Sequence, residues 1–100
     1  MALTIHYSPQ FIESLEEILQ YYDERNGSEH YSRKLLKMFH RQIRLLATMP
    51  EIGRLTTTSG IRILFVERFG IEYKINADSI IIVEIYSCQT DPIRRKHEKQ

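Results

Sequence analysis

The sequence predicts an α+β domain of the order β-α-α-β-β-β, in which a helical hairpin packs on one face of a small antiparallel sheet. Apolar residues recur at helical spacing between residues 9 and 49 and alternate with polar residues in several runs between 61 and 86. The joints are short, so neighbouring elements must pack antiparallel. We expect residues 1–100 to form a single domain, with residues 89–100 as a basic tail.

The first half of the chain predicts a short strand followed by two helices. Residues 3–7 alternate between apolar and polar side chains, which indicates the strand. Ser8 and Pro9 predict the start of the first helix, since serine caps a helix and proline is tolerated at its first position. Asn26-Gly27 predicts its end. The second helix is expected to start after a Ser28 cap and to run to about residue 49.

The second half predicts a three-stranded meander over residues 61–66, 69–75 and 80–86. Because the last run is almost uniformly apolar, we expect it to lie centrally with both faces largely covered. Simple alternation predicts that the helices pack on Ile61, Ile63, Phe65, Phe69, Ile71, Tyr73, Ile75, Ile81, Val83 and Ile85. It predicts an opposite, uncovered face made of Arg62, Leu64, Val66, Glu72, Lys74, Ile80, Ile82, Glu84 and Tyr86.

Composition limits the compartment and the cofactors. The lone Cys88 has no partner for an internal disulfide, and no apolar stretch approaches the roughly 18 residues that span a membrane. Without a secretion signal at the N-terminus, the chain is expected to be cytoplasmic. The four histidines stand at no metal-binding spacing, so we expect no metal and no cofactor.

Charge is divided between the two helices. Residues 1–32 carry six acids and one base, whereas residues 33–50 carry five bases and no acid. The stripe formed by Arg33, Lys37, Arg41 and Arg44 is expected to pair with acids of the first helix. The alternative interpretation makes this stripe a contact surface for nucleic acid or for a target protein.

The sequences of the connecting segments and strands resemble those of the RelE/ParE toxin superfamily, also labelled plasmid stabilisation proteins, over about residues 3–88. The phrases that carry the resemblance are Met49-Pro50-Glu51-Ile52-Gly53-Arg54, Gly60-Ile61-Arg62-Ile63-Leu64, Ile71-Glu72-Tyr73-Lys74-Ile75 and the run 80–85. The resemblance implies the toxin half of a bacterial type II toxin–antitoxin pair, which inhibits growth until an antitoxin binds it in a hetero-oligomer. It does not choose the target.

The resemblance implies two alternative targets. RelE-like members cleave mRNA on the ribosome, and a metal-free nuclease needs a proton acceptor, a proton donor and cations around the phosphate. If this chain is such a nuclease, the catalytic candidates are Arg62, Lys74, Glu84 and Tyr86. ParE-like members bind DNA gyrase, for which the candidates are Arg62, Arg68, Glu72, Lys74 and Tyr86.

One residue favours the ParE-like branch. Gly70 stands where many nuclease members carry an arginine, so a non-enzymatic toxin that binds gyrase is preferred, and enzymatic activity stays open. The charged candidates are also explained by cross-strand ion pairs on a solvated face. A further alternative is a non-toxic interaction module on the same fold.

Overall fold

The computed structural model describes residues 2–88, so the predicted tail lies outside the described residues. Two helices pack on one five-stranded sheet, which confirms the predicted α+β class. The elements are β1 (Thr4–Tyr7), α1 (Pro9–Asn26), α2 (His30–Leu45), β2 (Arg54–Leu55), β3 (Arg62–Val66), β4 (Phe69–Ile75) and β5 (Ser79–Ser87). Within the described part of the chain, no helix has the length and apolar character needed to cross a membrane.

Both predicted ends of α1 are confirmed. The Ser8 hydroxyl accepts a hydrogen bond from the Phe11 backbone N–H (3.0 Å) and donates to the Val83 carbonyl (2.7 Å), which ties the helix start to β5. Gly27 ends the helix in the left-handed conformation with φ of 69°, and its N–H donates to the Asp23 carbonyl at 2.9 Å. The cap therefore fixes the position of α1 on the sheet as well as its first turn.

The second helix is shorter than predicted. It starts at His30, and the cap position is held by Glu29, which makes no side-chain capping bond, one residue after the predicted Ser28. The Ser28 hydroxyl accepts a hydrogen bond from the His30 N–H at 3.5 Å. After Leu45 the chain tightens, because the next N–H groups bond to carbonyls three residues back (Leu46 to Ile43, 3.0 Å). The tight turns convert the predicted last helical turn into a connection that leads to β2.

The sheet has the strand order β1-β5-β4-β3-β2. β5 lies between β1 and β4, in agreement with its apolar sequence. The meander is antiparallel, whereas β1 runs parallel to β5. β2 has only two residues, Arg54 and Leu55, and such a short segment gives no alternation that would have predicted it.

Strand pairing corrects the predicted assignment of β3 to the two faces. Val66 pairs with Phe69 across the two-residue turn, and Leu64 pairs with Ile71. Paired residues share a face, so Leu64 and Val66 lie on the helix face, the side of the sheet on which α1 and α2 pack. Arg62 joins them, whereas Ile63 and Phe65 lie on the opposite side, the open face. The two-residue turn fixes this register, a signal that simple alternation overlooks.

An irregularity in β5 corrects the remaining assignments. Ile82 pairs with Tyr73 and Glu84 pairs with Glu72, so Val83 is the extra residue of a bulge. The bulge shifts the alternation by one position, and residues on both sides of it reach the core. The buried core therefore consists of Phe11, Ile18, Leu35, Phe39, Ile43, Leu46, Val66, Phe69, Ile71, Tyr73, Ile80, Ile82 and Ile85. Ile81 lies on the open face with Lys74, contrary to the prediction.

Candidate functional site

Two paired side chains on the helix face hold the loop of residues 50–53. The Tyr73 hydroxyl accepts a hydrogen bond from the Gly53 N–H (2.8 Å) and donates to the Pro50 carbonyl (2.7 Å). Its strand partner Arg62 donates from Nη1 to the Gly53 carbonyl (2.8 Å) and to the Glu51 carbonyl (3.3 Å). Arg62 therefore lies apart from the other predicted site residues, and its guanidinium binds carbonyl groups of the loop.

Burial dominates the electrostatics of Tyr73, which is fully buried. Desolvation raises the pKa of its hydroxyl, and the nearby Glu51 raises it further. The Gly53 N–H and the Arg62 charge lower the pKa of the hydroxyl but do not reverse the shift. Gly53 is buried against the Tyr73 ring, which occupies the space that a Cβ at position 53 would need.

The open face brings together four of the predicted residues. Glu72 pairs with Glu84, Lys74 with Ile81, and Tyr86 with Gly70. Like charges directly opposite each other are unfavourable, so the Glu72–Glu84 pair needs other partners. Glu84 has them: its carboxylate accepts from Gln10 Nε2 of α1 at 3.0 Å and from the Ile85 backbone N–H at 2.9 Å.

The space above Gly70 is filled by its neighbours. A Cβ at position 70 would lie 2.9 Å from Ile63 Cδ1 and 3.1 Å from Tyr86 Cζ. The Tyr86 ring therefore covers the glycine, next to the buried Ile63 side chain. A long side chain at position 70 would have to displace that ring, so the glycine shapes this part of the open face into an aromatic and aliphatic patch.

Phe65 belongs to the open face and was missed because alternation assigned it to the core. Its side chain is 51% exposed, and the Arg54 guanidinium lies over its ring at 5.8 Å from the centroid. Arg68 lies in the exposed turn between β3 and β4, where Glu67 adopts a positive φ of 57°. The Arg68 backbone carbonyl accepts from the Cys88 N–H at 2.7 Å, which ties the turn to the end of β5.

A second surface lies between the helices. An apolar groove of about 420 Å³ opens beside the end of β1 and is lined by Tyr7, Phe11, Ile12, Leu15, Leu36, Lys37, Phe39, His40 and Ile43. Ile12 and Leu36 are partly exposed at its α1 and α2 sides. The sequence showed the apolar stripes of both helices, but not that their outer members would remain uncovered.

The predicted pairing of the α2 bases with α1 acids is wrong for the described residues. Among residues 2–88 a single salt bridge occurs, between Glu29 and Arg33 at 2.9 Å, and both side chains are largely exposed. Glu13, Glu16, Glu17 and Glu24 of α1 are exposed, Asp23 is half-buried, and within the described residues none of them pairs with a base of α2. Over the same residues, no cluster of three or more His, Cys, Asp or Glu side chains has a metal-binding arrangement.

Family comparison decides between the classes of protein that this fold allows. The family model of the ParE toxin of the type II toxin–antitoxin system parDE matches residues 5–92. The chain belongs to this ParE toxin family. It is therefore the toxin of a type II toxin–antitoxin system, in agreement with the sequence motifs that resemble the RelE/ParE superfamily.

Solved structures share the fold of this ParE family member. A chain of the chromosomal ParDE toxin–antitoxin system from P. aeruginosa has a TM-score of 0.78 at 18% identity, covering 88% of this chain and 98% of that one. A chain of the E. coli DinJ–YafQ toxin–antitoxin complex has a TM-score of 0.57 at 12% identity, covering 87% and 93%.

A conserved hypothetical protein from Helicobacter pylori, HP0894, has a TM-score of 0.55 at 14% identity and covers 85% of this chain and 93% of its own. No curated protein matches the sequence significantly. At these identities the structural likeness establishes the fold alone, so target and site residues must be argued from this chain.

Replacement of Tyr73 by Phe is expected to lower the free energy of unfolding by about 1–3 kcal/mol, because it leaves the Gly53 N–H and the Pro50 carbonyl without their partner. The raised pKa adds a pH dependence. Tyr73 stabilises the fold fully below its unfolded pKa of about 10, and this contribution is lost as the pH rises through the higher folded value.

Urea unfolding at neutral pH and above pH 10 measures both effects. Burial also raises the pKa of Tyr7. The Tyr73→Phe variant is therefore still expected to lose some free energy of unfolding at alkaline pH, through Tyr7. The exposed Tyr21 provides the control as Tyr21→Phe. Equal stability of Tyr73→Phe and the wild type at neutral pH would contradict the anchoring role of the hydroxyl.

Proposed function

We propose that this toxin inhibits bacterial growth in the cytoplasm by binding DNA gyrase through the open face of its sheet. The observation that carries the proposal is that two of the side chains proposed for nuclease catalysis make structural hydrogen bonds within the domain. Arg62 bonds to loop 50–53 from the helix face, and the Glu84 carboxylate is occupied by Gln10 and the Ile85 N–H. An arrangement in which a cation and a carboxylate converge on one phosphate is therefore not favoured.

The composition of the open face supports binding of a protein. Phe65 and Tyr86 provide aromatic surface, Arg54 stacks on the Phe65 ring, and Glu72 and Lys74 surround them with charge. Aromatic residues and arginine are the side chains that most often contribute binding energy at protein interfaces. With Arg68 at the turn, they form the surface that we assign to gyrase.

We further propose that a cognate antitoxin neutralises the toxin by placing an amphipathic helix in the groove between α1 and α2. The groove is apolar at its centre, and its α2 side carries Lys37 and His40. On the α1 side, Glu16 follows Ile12 by one turn and is exposed. Opposite charges on the two sides favour a helix with an apolar stripe between one acidic and one basic flank.

Phe65→Ala is expected to weaken inhibition of gyrase supercoiling about tenfold, because truncating an aromatic anchor typically costs more than 1 kcal/mol of binding. Leu55→Ala is the matched control: Leu55 is 62% exposed and pairs with Arg62, on the other side of the sheet. The measurement is a supercoiling assay with purified gyrase across a range of toxin concentrations.

Two outcomes would contradict the gyrase proposal. One is equal inhibition by the Phe65→Ala variant and the wild type. The other is a wild-type toxin that leaves supercoiling unchanged but cleaves mRNA on translating ribosomes, which would restore the RelE-like alternative. A chain that leaves growth unaffected when expressed would favour the interaction module.

Leu36→Glu is expected to weaken antitoxin binding at least a hundredfold while the chain remains toxic, because a carboxylate in an apolar interface loses its hydration. Leu45→Glu is the control, since Leu45 lies on the other side of α2 and has similar exposure (38% against 43%). Calorimetric titration with the antitoxin, combined with growth rescue by its co-expression, gives the readout. Rescue of the Leu36→Glu toxin at wild-type antitoxin levels would refute the groove assignment.

A further inference from the structure

The outward side of α2 carries a dense row of positive charge. Over His30–Leu45 the helix has five Arg and Lys residues and no Asp or Glu. All five are exposed, and at about 100° per residue they fall on the side opposite the buried Leu35 and Phe39. This α2 ridge consists of Arg33, Lys34, Lys37, Arg41 and Arg44. It extends for about 16 Å along the helix axis.

Four of the five ridge cations have no carboxylate partner among the described residues. Arg33 bonds to Glu29 at 2.9 Å, and no other ion pair occurs over residues 2–88. The remaining four charges stand in one row on an exposed helix, so each raises the positive potential at the others. Such a row gains free energy when an anion neutralises several of its members together.

We propose that the α2 ridge binds the phosphate backbone of nucleic acid independently of sequence. From Lys34 to Arg44, successive cations follow each other by three or four residues, so these four form a linear track about one helical turn apart. A phosphodiester backbone is the polyanion whose charges also repeat along a line. The ridge residues need no base contact for such binding, since phosphate contacts position a protein without reading sequence.

The absence of an apolar centre distinguishes the ridge from the two protein-binding surfaces proposed above. Within the row from Arg33 to Arg44, the outward side of the helix presents only basic side chains and His40. Protein interfaces place apolar and aromatic anchors at their centre, which this row lacks. An acidic polypeptide is therefore the less favoured partner.

The neighbouring helix limits the strength of this binding. The solvent side of α1 carries Glu13, Glu16, Glu17 and Glu24, which repel phosphates. A duplex is thereby confined to the α2 side, and the affinity is expected in the range of non-specific complexes, with Kd of about 10⁻⁴–10⁻⁶ M at physiological salt. The proposal requires neither gyrase nor an antitoxin, so it stands or falls separately from the functions proposed above.

The test is fluorescence anisotropy of the full chain with a labelled DNA duplex of about 20 base pairs, over a series of salt concentrations. The informative variants are Lys34→Gln and Arg41→Gln, because neither residue lines the groove. Each is expected to weaken binding roughly five- to tenfold near 0.1 M salt. Each is also expected to reduce the slope of log K against log salt by about 0.9. Both residues are exposed, and an unchanged circular dichroism spectrum confirms the fold.

Arg25→Gln is the matched control, because it removes the same charge from α1, where Arg25 donates to the Tyr21 hydroxyl. This variant is expected to bind DNA as the wild type does, and residues 89–100 are common to all the proteins compared. The proposal is overturned by undetectable binding at low salt or by ridge variants that behave like Arg25→Gln. Polyglutamate that displaces DNA as well as an equal charge of unlabelled duplex would instead identify an acidic polypeptide as the partner.

Discussion

The anchoring of loop 50–53 by Tyr73 and Arg62 is the constraint on which the arrangement of both surfaces depends. The two side chains are strand partners, and together they satisfy backbone groups of Pro50, Glu51 and Gly53. This loop carries the chain from the end of α2 to β2, so its position sets where the helices meet the sheet. Because an unpaired buried N–H or carbonyl is costly, the tyrosine hydroxyl and the glycine must occur together.

The same constraint explains why sequence reasoning misplaced Arg62. A charged residue in a strand is ordinarily assigned to the solvent face, and alternation with the neighbouring isoleucines supported that assignment. The two-residue turn after Val66 instead sets the register that turns Arg62 toward the helices, and loop carbonyls compensate its charge. The bulge at Val83 is the other feature that alternation does not reveal, since a uniformly apolar run has no phase.

Features encoded by local chemistry were predicted well. The serine cap and the left-handed glycine gave both ends of α1, and the apolar run gave the position of β5 inside the sheet. The open-face cluster of Glu72, Lys74, Glu84 and Tyr86 was also anticipated from strand alternation. The exposure of Phe65 and the groove between the helices were not anticipated. The first depends on the strand register and the second on how the helices pack, and neither can be read from apolar spacing alone. The two proposed binding surfaces, the open face and the groove, lie on different sides of the domain.

Hydrogen exchange of the Gly53 amide tests the anchoring most directly. Amides in connecting loops normally exchange through local opening, whereas one buried and bonded to Tyr73 is expected to exchange only when the whole domain unfolds. We expect a protection free energy for Gly53 equal to the global free energy of unfolding, with fast exchange at the exposed loop residue Thr57, which lies outside the strands. Exchange of Gly53 as fast as that of Thr57 would show that the loop opens independently, and would contradict the anchoring by Tyr73 and Arg62.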